Sequence, residues 1–278
     1  MFIGVKGLSV VGSSGGGSSA PAYDSDAQAY IDAVESADGQ ALETDVKEAY
    51  NNFFVGLKDD GLFNDIDACC LIMGARTIAG ALTPLVSSMP TPLNNNFVSG
   101  DYSRTTGLQG DGSTKYINSN TLATETGTND CHLSIYEPQL HNDGSNFCAV
   151  IGYQDLNGTY NNAWQLAYQY GGLYVPRVKD FNTFYEYVTV PGFSGLSRNN
   201  SANFTFRFSS QSQTKTATSS NPPFLTPLYV MAQNHYGVGP ELHTNGKLSF
   251  YSIGASLNLV NLESRVKTLV SEIGAALP

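Results

Sequence analysis

The stretch NAWQLAYQY, residues 162–170, places Trp164, Leu166, Tyr168 and Tyr170 at every second position. A period of two puts these side chains on one face of an extended strand. Phe204, Phe206 and Phe208 repeat the pattern in NFTFRF, residues 203–208. Working outward, the same period runs from about residue 71 to residue 253. It predicts further strands at 114–118, 131–137, 147–154, 173–178, 184–190, 227–233 and 247–253. Turn signals separate them, among them Asp111-Gly112, Asp143-Gly144, Asn157-Gly158, Gly171-Gly172, Pro191-Gly192 and Asn245-Gly246. Many short strands with such punctuation and no interleaved helices read as an antiparallel sandwich.

Before the strands the period is 3.6. Asp24 or Ser25 can cap a helix carrying Ala27, Tyr30, Ile31 and Val34, which Asp38-Gly39 stops. A second helix shows Leu42, Val46, Tyr50, Phe53, Phe54 and Leu57 on one face and ends at Asp60-Gly61. A third, shorter one is expected around Leu62, Phe63 and Ile66. After the strands, Leu259, Leu262, Val266, Leu269, Ile273 and Ala276 alternate steps of three and four, a heptad seam. Such a helix either lies against its own sandwich and the N-terminal helices or forms a seam between copies. The expected division is an N-terminal arm over 1–23, a helical segment over 24–80, a β-sandwich over 81–254 and a C-terminal helix over 255–278.

The arm joins apolar Phe2, Ile3, Val5 and Leu8 to the run Gly12-Ser13-Ser14-Gly15-Gly16-Gly17-Ser18-Ser19. Alone, a Gly/Ser run behaves as a flexible coil, and ordering it costs about 1–2 kcal/mol per residue. A neighbouring subunit is therefore the expected holder of this arm, with the four apolar residues as its docking anchors. Lys6, the weakly apolar residues 8–11 and Ala20-Pro21-Ala22 outline a signal peptide. The apolar segment is too short for one and is broken by Gly7 and Gly12, so secretion by that route is not expected.

The 278 residues carry a net charge of −10, and only 14% are charged against roughly 25% in an average globular protein. Arg198, Arg207 and Lys215 form only a diffuse basic stretch, so no nucleic-acid partner is expected. No apolar run reaches the ~20 residues that span a bilayer, so no membrane insertion is expected either. Cys69, Cys70, Cys131 and Cys148 lack zinc spacing and read as buried thiols. His132, His141, His235 and His243 lack ligand spacing too, so neither a metal nor another cofactor is expected.

Glu43-Thr44-Asp45-Val46-Lys47-Glu48 spells E-x-D-x-x-E, the acid/base signature of jelly-roll glycanases. It stands at the head of a predicted helix, where acidic groups suit the helix dipole, so no catalytic residue is assigned. Gly12-Ser13-Ser14-Gly15-Gly16 matches G-x-S-x-G but opens a linker, not a strand–turn–helix elbow. One enrichment remains. Tyr168, Tyr170, Tyr174, Tyr185 and Tyr187 crowd the middle of the β region beside Asn and Gln, and serve either as a glycan-facing surface or as packing.

Three stretches resemble a family of tailed-bacteriophage virion proteins with a concanavalin-A-like (laminin-G-like) jelly-roll. They are DAQAYIDAVESADGQALETDVKEAYNNFFVGLKDDGLFNDIDACCLIMGARTIAGAL at 26–82, FVSGDYSRTTGLQGDGSTKYINSN at 97–120 and GKLSFYSIGASLNLVNLESRVKTLVSEIGAAL at 246–277. GFSGLSRNN at 192–200 and LYVMAQN at 228–234 also fit. The resemblance implies a mainly β jelly-roll with terminal helices. It further implies a non-enzymatic structural role in the virion, assembled in the bacterial host cytoplasm, and contacts with other virion proteins. Several copies are expected, as a trimer if Leu259, Leu262, Val266, Leu269 and Ile273 form the seam. A peripheral tail or fibre position leads. Capsid decoration, a host-glycan receptor module and a jelly-roll glycanase are the alternatives.

Overall fold

The computed structural model describes Met1 and residues 22–142, 147–155, 162–169, 172–180, 184–219, 225–236 and 238–277. The anchors Phe2, Ile3, Val5 and Leu8, the Gly12–Gly16 motif and Tyr170 lie outside the described residues.

Helix α1 (Ser25–Asp38) starts where the Asp24 carboxylate accepts the backbone N–H groups of Asp26 and Ala27, and stops at left-handed Gly39. Helix α2 (Thr44–Asp59) buries Val46, Tyr50, Phe53, Phe54 and Leu57 along one stripe, as their spacing requires. The expected third helix is absent. A single 3₁₀ turn, Phe63–Asp65, leads straight into strand β1 (Ile66–Leu71), so the ladder begins inside the segment expected to be helical. Its sequence IDACCL has no polar alternation because the strand is covered on both faces, and such a run carries no period to read.

One-turn helix α3 (Ile78–Ala81) is followed by β2 (Leu93–Asn95), β3 (Tyr102–Ser103), β4 (Gly107–Gln109) and β5 (Tyr116–Leu122). Next come β6 (Cys131–Glu137), β7 (Cys148–Asp155), β8 (Asn162–Gln169), β9 (Leu173–Asp180) and β10 (Glu186–Tyr187). Then follow β11 (Gly192–Arg198), β12 (Asn203–Phe208), β13 (Gln211–Thr216), β14 (Pro227–Val230), β15 (Gln233–His235) and β16 (Gly239–Glu241). The chain closes with β17 (Lys247–Leu248), β18 (Phe250–Gly254) and helix α4 (Leu259–Ala276).

A six-stranded sheet runs β1-β18-β6-β11-β12-β13. A nine-stranded sheet runs β10-β9-β8-β7-β14-β5-β2, with β15 pairing β7 and β16. The protein is thus a mainly β antiparallel sandwich of jelly-roll type with helices at both ends of the chain. The sheets face each other through Tyr174 and Phe206, whose rings lie 6.1 Å apart. On the far side of the six-stranded sheet sit α2 and α4: Phe53 meets Phe250 edge-on at 6.1 Å, and Leu259 closes over Gly195.

The heptad residues of α4 settle the choice between packing and seam. Leu259, Leu262, Val266, Leu269 and Ile273 are all at most 4% exposed within this one chain, against α2 and the six-stranded sheet. They offer no free face to a second copy, so the expected trimer seam on these residues is corrected. Gly56 lets the helices approach, since a Cβ there would meet Arg265 Cδ at 2.7 Å. The Arg265 guanidinium in turn grips Asp60 at 2.7 and 3.1 Å.

The Glu43 carboxylate ties the helical layer to the strands. Arg104 donates to both of its oxygens at 3.0 and 2.6 Å, and Arg76 reaches it at 2.9 Å. The Arg104 guanidinium holds Glu43 down to about 2, against an ordinary value of 4.5.

Two outcomes follow. Leu262→Ala should lower stability to chemical denaturation by about 2–5 kcal/mol and leave the sedimentation coefficient unchanged. Because the folded pKa of Glu43 lies below its unfolded one, its contribution is complete above the unfolded value and is lost as pH falls from 4.5 towards 2. Glu43→Gln should flatten that part of the acid-denaturation curve, followed by circular dichroism.

Candidate functional site on the nine-stranded sheet

Alternation sorts the side chains of β8 and β9 between the two faces. Trp164, Tyr168 and Tyr174 point to the interior. Tyr168 and Tyr174 are 3% and 0% exposed, with ring centroids 4.1 Å apart. Both phenols donate to Glu137 Oε2, Tyr168 at 2.9 Å. Of the two readings of these tyrosines, glycan-facing or packing, the structure takes packing: they are core residues that bridge the sheets. Tyr185 and Tyr187 are 52% and 70% exposed, at the edge strand β10.

The opposite face of the nine-stranded sheet carries a polar row. Residues opposed across paired strands share a face. Asn118 on β5 opposes Tyr229 on β14, Tyr229 opposes Gly152 on β7, Gly152 opposes Gln165 on β8, and Gln165 opposes Arg177 on β9. Five strands at about 4.8 Å spacing give the row a length of roughly 19 Å. Tyr116, two residues before Asn118, joins it: its ring lies 4.7 Å from that of Tyr229 and 6.0 Å from that of His243. Gly152 has φ 145, and a Cβ there would meet Trp164 O at 2.3 Å, so glycine is required and the row has a gap at its centre.

A second tier extends the same face. His235 opposes Gln154, and Gln233 opposes Glu241. Gln233 Nε2 donates to Gln154 Oε1 at 3.0 Å and also to Gln165 Oε1. Gln165 is fully buried, its oxygen is taken, and its Nε2 has no hydrogen-bond partner among the described residues. His235 Nδ1–H donates to Glu241 Oε2 at 2.8 Å, which leaves Nε2 as an acceptor in the neutral ring; that atom is buried and also lacks a partner among the described residues. The face therefore combines an aromatic pair, two buried polar atoms without a partner among the described residues, and the largely buried Arg177 guanidinium. Such a set suits a polyhydroxylated ligand with ring faces.

The other sequence candidates are structural. Glu43 is clamped by two arginines, which removes the glycanase motif. All four cysteines are reduced and buried, and burial pushes the Cys70 thiol up to about 12. His132 is buried between Ala255 O at 2.5 Å and Ser252 Oγ at 2.9 Å, and burial pushes it down to about 4. The basic stretch is paired off: Arg198 with Asp180 at 3.0 Å, Arg207 with Glu263, and Lys215 with Glu186. Among the described residues no group of His, Cys, Asp and Glu could hold a metal ion. The row itself was missed because its members lie on separate strands, from Tyr116 to Glu241. A signal existed: Gln165 and Arg177 each interrupt an apolar run, WQLA and VPRV.

No family model matches the sequence, and no curated protein matches it. Solved structures do resemble the chain. The NanB sialidase from Streptococcus pneumoniae is 13% identical over 57% of this chain, with a TM-score of 0.43, and the chain spans 27% of its length. The Trypanosoma rangeli sialidase is 10% identical over 81% of this chain and 38% of its own, with a TM-score of 0.45. The CBM40 of Ruminococcus gnavus IT-sialidase, bound to α2,3 sialyllactose, is 10% identical over 62% of this chain and 96% of its own, with a TM-score of 0.41. The likeness is one of fold. One expectation is corrected: the resemblance implied a protein without catalytic activity, and that exclusion is withdrawn, the similar solved structures including sialidases.

Glu137 gives the interior a measurable signature. It is fully buried, its Oε1 has no partner among the described residues, and burial pushes its carboxyl up to about 8 from 4.5. Between those values the folded chain holds a proton that the unfolded chain has released, so rising pH lowers stability across that window. Glu137→Gln should abolish this slope. The check is the urea midpoint at about pH 5 and about pH 8, which should fall in the wild type and stay level in the variant.

Proposed function

We propose that this chain is a component of a tailed-bacteriophage particle, of tail or fibre type, whose nine-stranded sheet recognises a host-surface glycan. The observation that carries glycan recognition is the outer-face row. It pairs the Tyr116–Tyr229 rings, 4.7 Å apart, with the open Gln165 Nε2 donor and the Arg177 guanidinium. Sugar rings need an apolar platform for their C–H faces and directional polar groups for their hydroxyls, and this face offers both.

Membership in a particle is supported by where the resembling stretches lie. Residues 26–82, 97–120 and 246–277 are far apart in sequence, yet they form one body: β1 pairs β18, α2 packs on α4, and β4 pairs β17. The N-terminal segment with Phe2, Ile3, Val5 and Leu8 is the proposed attachment to other virion proteins. With α4 occupied inside the chain, contacts between copies fall to other surfaces.

The full chain on a glycan array should retain at least one surface glycan, and Tyr229→Ala should weaken retention about tenfold with an unchanged melting temperature. No retention by the wild type at millimolar glycan would remove the recognition role. Deleting residues 2–17 should yield a folded protein missing from purified particles; particles carrying the truncated chain at normal copy number would remove the attachment role.

A further inference from the structure

The groove between α2 and α4 has a polar demand that the described residues do not meet. It holds about 280 Å³, near the ~300 Å³ lower end of small-molecule pockets, and so suits a few side chains of a chain segment. Phe53 and Leu269, 2% and 1% exposed, form its apolar floor, and Val55, 37% exposed, stands at its rim. Asp59 and Glu272 give it two carboxylates. Arg265 is the one cation of the lining and is engaged with Asp60 at 2.7 and 3.1 Å. Glu272 Oε1 accepts from Asn52 Nδ2 at 3.3 Å, while Oε2 is buried without a hydrogen-bond partner among the described residues. The groove therefore fits a cationic donor with apolar neighbours.

The chain carries such a segment beside the groove. Residues 1–23 contain one charged side chain, Lys6, in a chain of net charge −10, and set it between Val5 and Leu8 in FIGVKGL, residues 2–8. Those residues lie outside the described ones, but the point where the segment joins α1 is fixed. The Asp24 N–H donates to Asn51 Oδ1 at 2.8 Å, and Lys58 Nζ lies 2.6 Å from the Asp24 carboxylate. Asn51, Val55 and Asp59 are successive i+4 positions of α2, so the anchoring asparagine and the groove wall form one ridge about 12 Å long. A Gly/Ser run of eight residues, 12–19, spans about 16 Å as a coil, enough to turn back along that ridge. So short a tether supplies the segment at millimolar local concentration, above what a second copy reaches in micromolar solution. We propose that residues 2–8 dock in the chain's own α2–α4 groove, with Lys6 on Glu272 Oε2 and Asp59 and with Val5 and Leu8 against Val55. Particle attachment through this segment then requires its release from the groove.

Carbodiimide cross-linking of the full chain at micromolar concentration is the test, because it joins an ammonium to a carboxylate only where the two touch. In an equal mixture of unlabelled and heavy-isotope-labelled chains, mass spectrometry should find Lys6 joined to Glu272 or Asp59 within chains of one label. Mixed-label pairs would overturn docking on the chain's own groove and assign the segment to a second copy. Lys6 joined to neither residue would overturn docking altogether. A second readout forms no such link: with excess glycine ethyl ester, carbodiimide labels accessible carboxylates. Asp59 should label about fivefold faster in Lys6→Glu than in the wild type, the factor for a local concentration about four times the Kd, and Lys6→Arg should keep it slow. Equal labelling in all three chains would overturn the proposal. These readings are taken on the isolated chain, so their failure leaves glycan recognition and particle attachment to their own tests.

Discussion

The antiparallel ladder between Ile66–Leu71 and Phe250–Gly254 is the constraint on which the rest of the molecule depends. It joins strands from opposite ends of the described chain, so the helices that immediately precede β1 and follow β18 arrive at the same sheet. There α2 and α4 meet, bury Phe53, Leu262, Val266 and Ile273, and cover one face of the six-stranded sheet. The other face of that sheet is taken by the nine-stranded sheet through Tyr174, Phe206 and the Glu137 cluster. Two layers of contact are thereby fixed; in β7, β8 and β9 nearly every residue is buried on both faces, while β5, β14 and β10 keep partly exposed side chains.

Buried polar groups lie both between the sheets and on the opposite face of the nine-stranded sheet. Between the sheets, Lys179 Nζ is surrounded by Thr126 O at 2.8 Å, Thr126 Oγ1 at 2.7 Å and Gly127 O at 2.9 Å, and lies 4.4 Å from the Trp164 ring centroid. Burial still pushes its ammonium down to about 8. Arg198 and Asp180 neutralise each other at full burial. Arg198 Nε and Glu137 Oε1 nevertheless lack a hydrogen-bond partner among the described residues. On the outer face, Gln165 Nε2 and His235 Nε2 are left open among the described residues. An unsatisfied buried polar atom costs about 1–3 kcal/mol, a penalty that a ligand supplying the missing partner would offset.

Much of the fold could be read from periodicity. The strand Cys131–Glu137 was placed to the residue, and Trp164, Leu166 and Tyr168 do share one face. Periodicity does not say which face is inside, and so it leaves Tyr168 and Tyr174 open between a glycan-facing surface and packing; they hold Glu137 in the core. The run IDACCL has no alternation to betray a strand, because both of its faces are covered. The heptad of α4 has the same spacing whether its partner is a second copy or its own α2; only the tertiary contacts distinguish them. The row from Asn118 to Arg177 was illegible for a different reason. Its members become neighbours only through strand order, in which β14 inserts between β5 and β7.

Amide hydrogen exchange on the full chain, with and without the glycan that binds it most tightly, tests most directly whether the outer face of the nine-stranded sheet is the working surface. Slower exchange is expected in Asn162–Gln169, Leu173–Asp180 and Pro227–Val230, the strands that carry Gln165, Arg177 and Tyr229. Protection confined to α2 and α4, with those three strands unchanged, would contradict it.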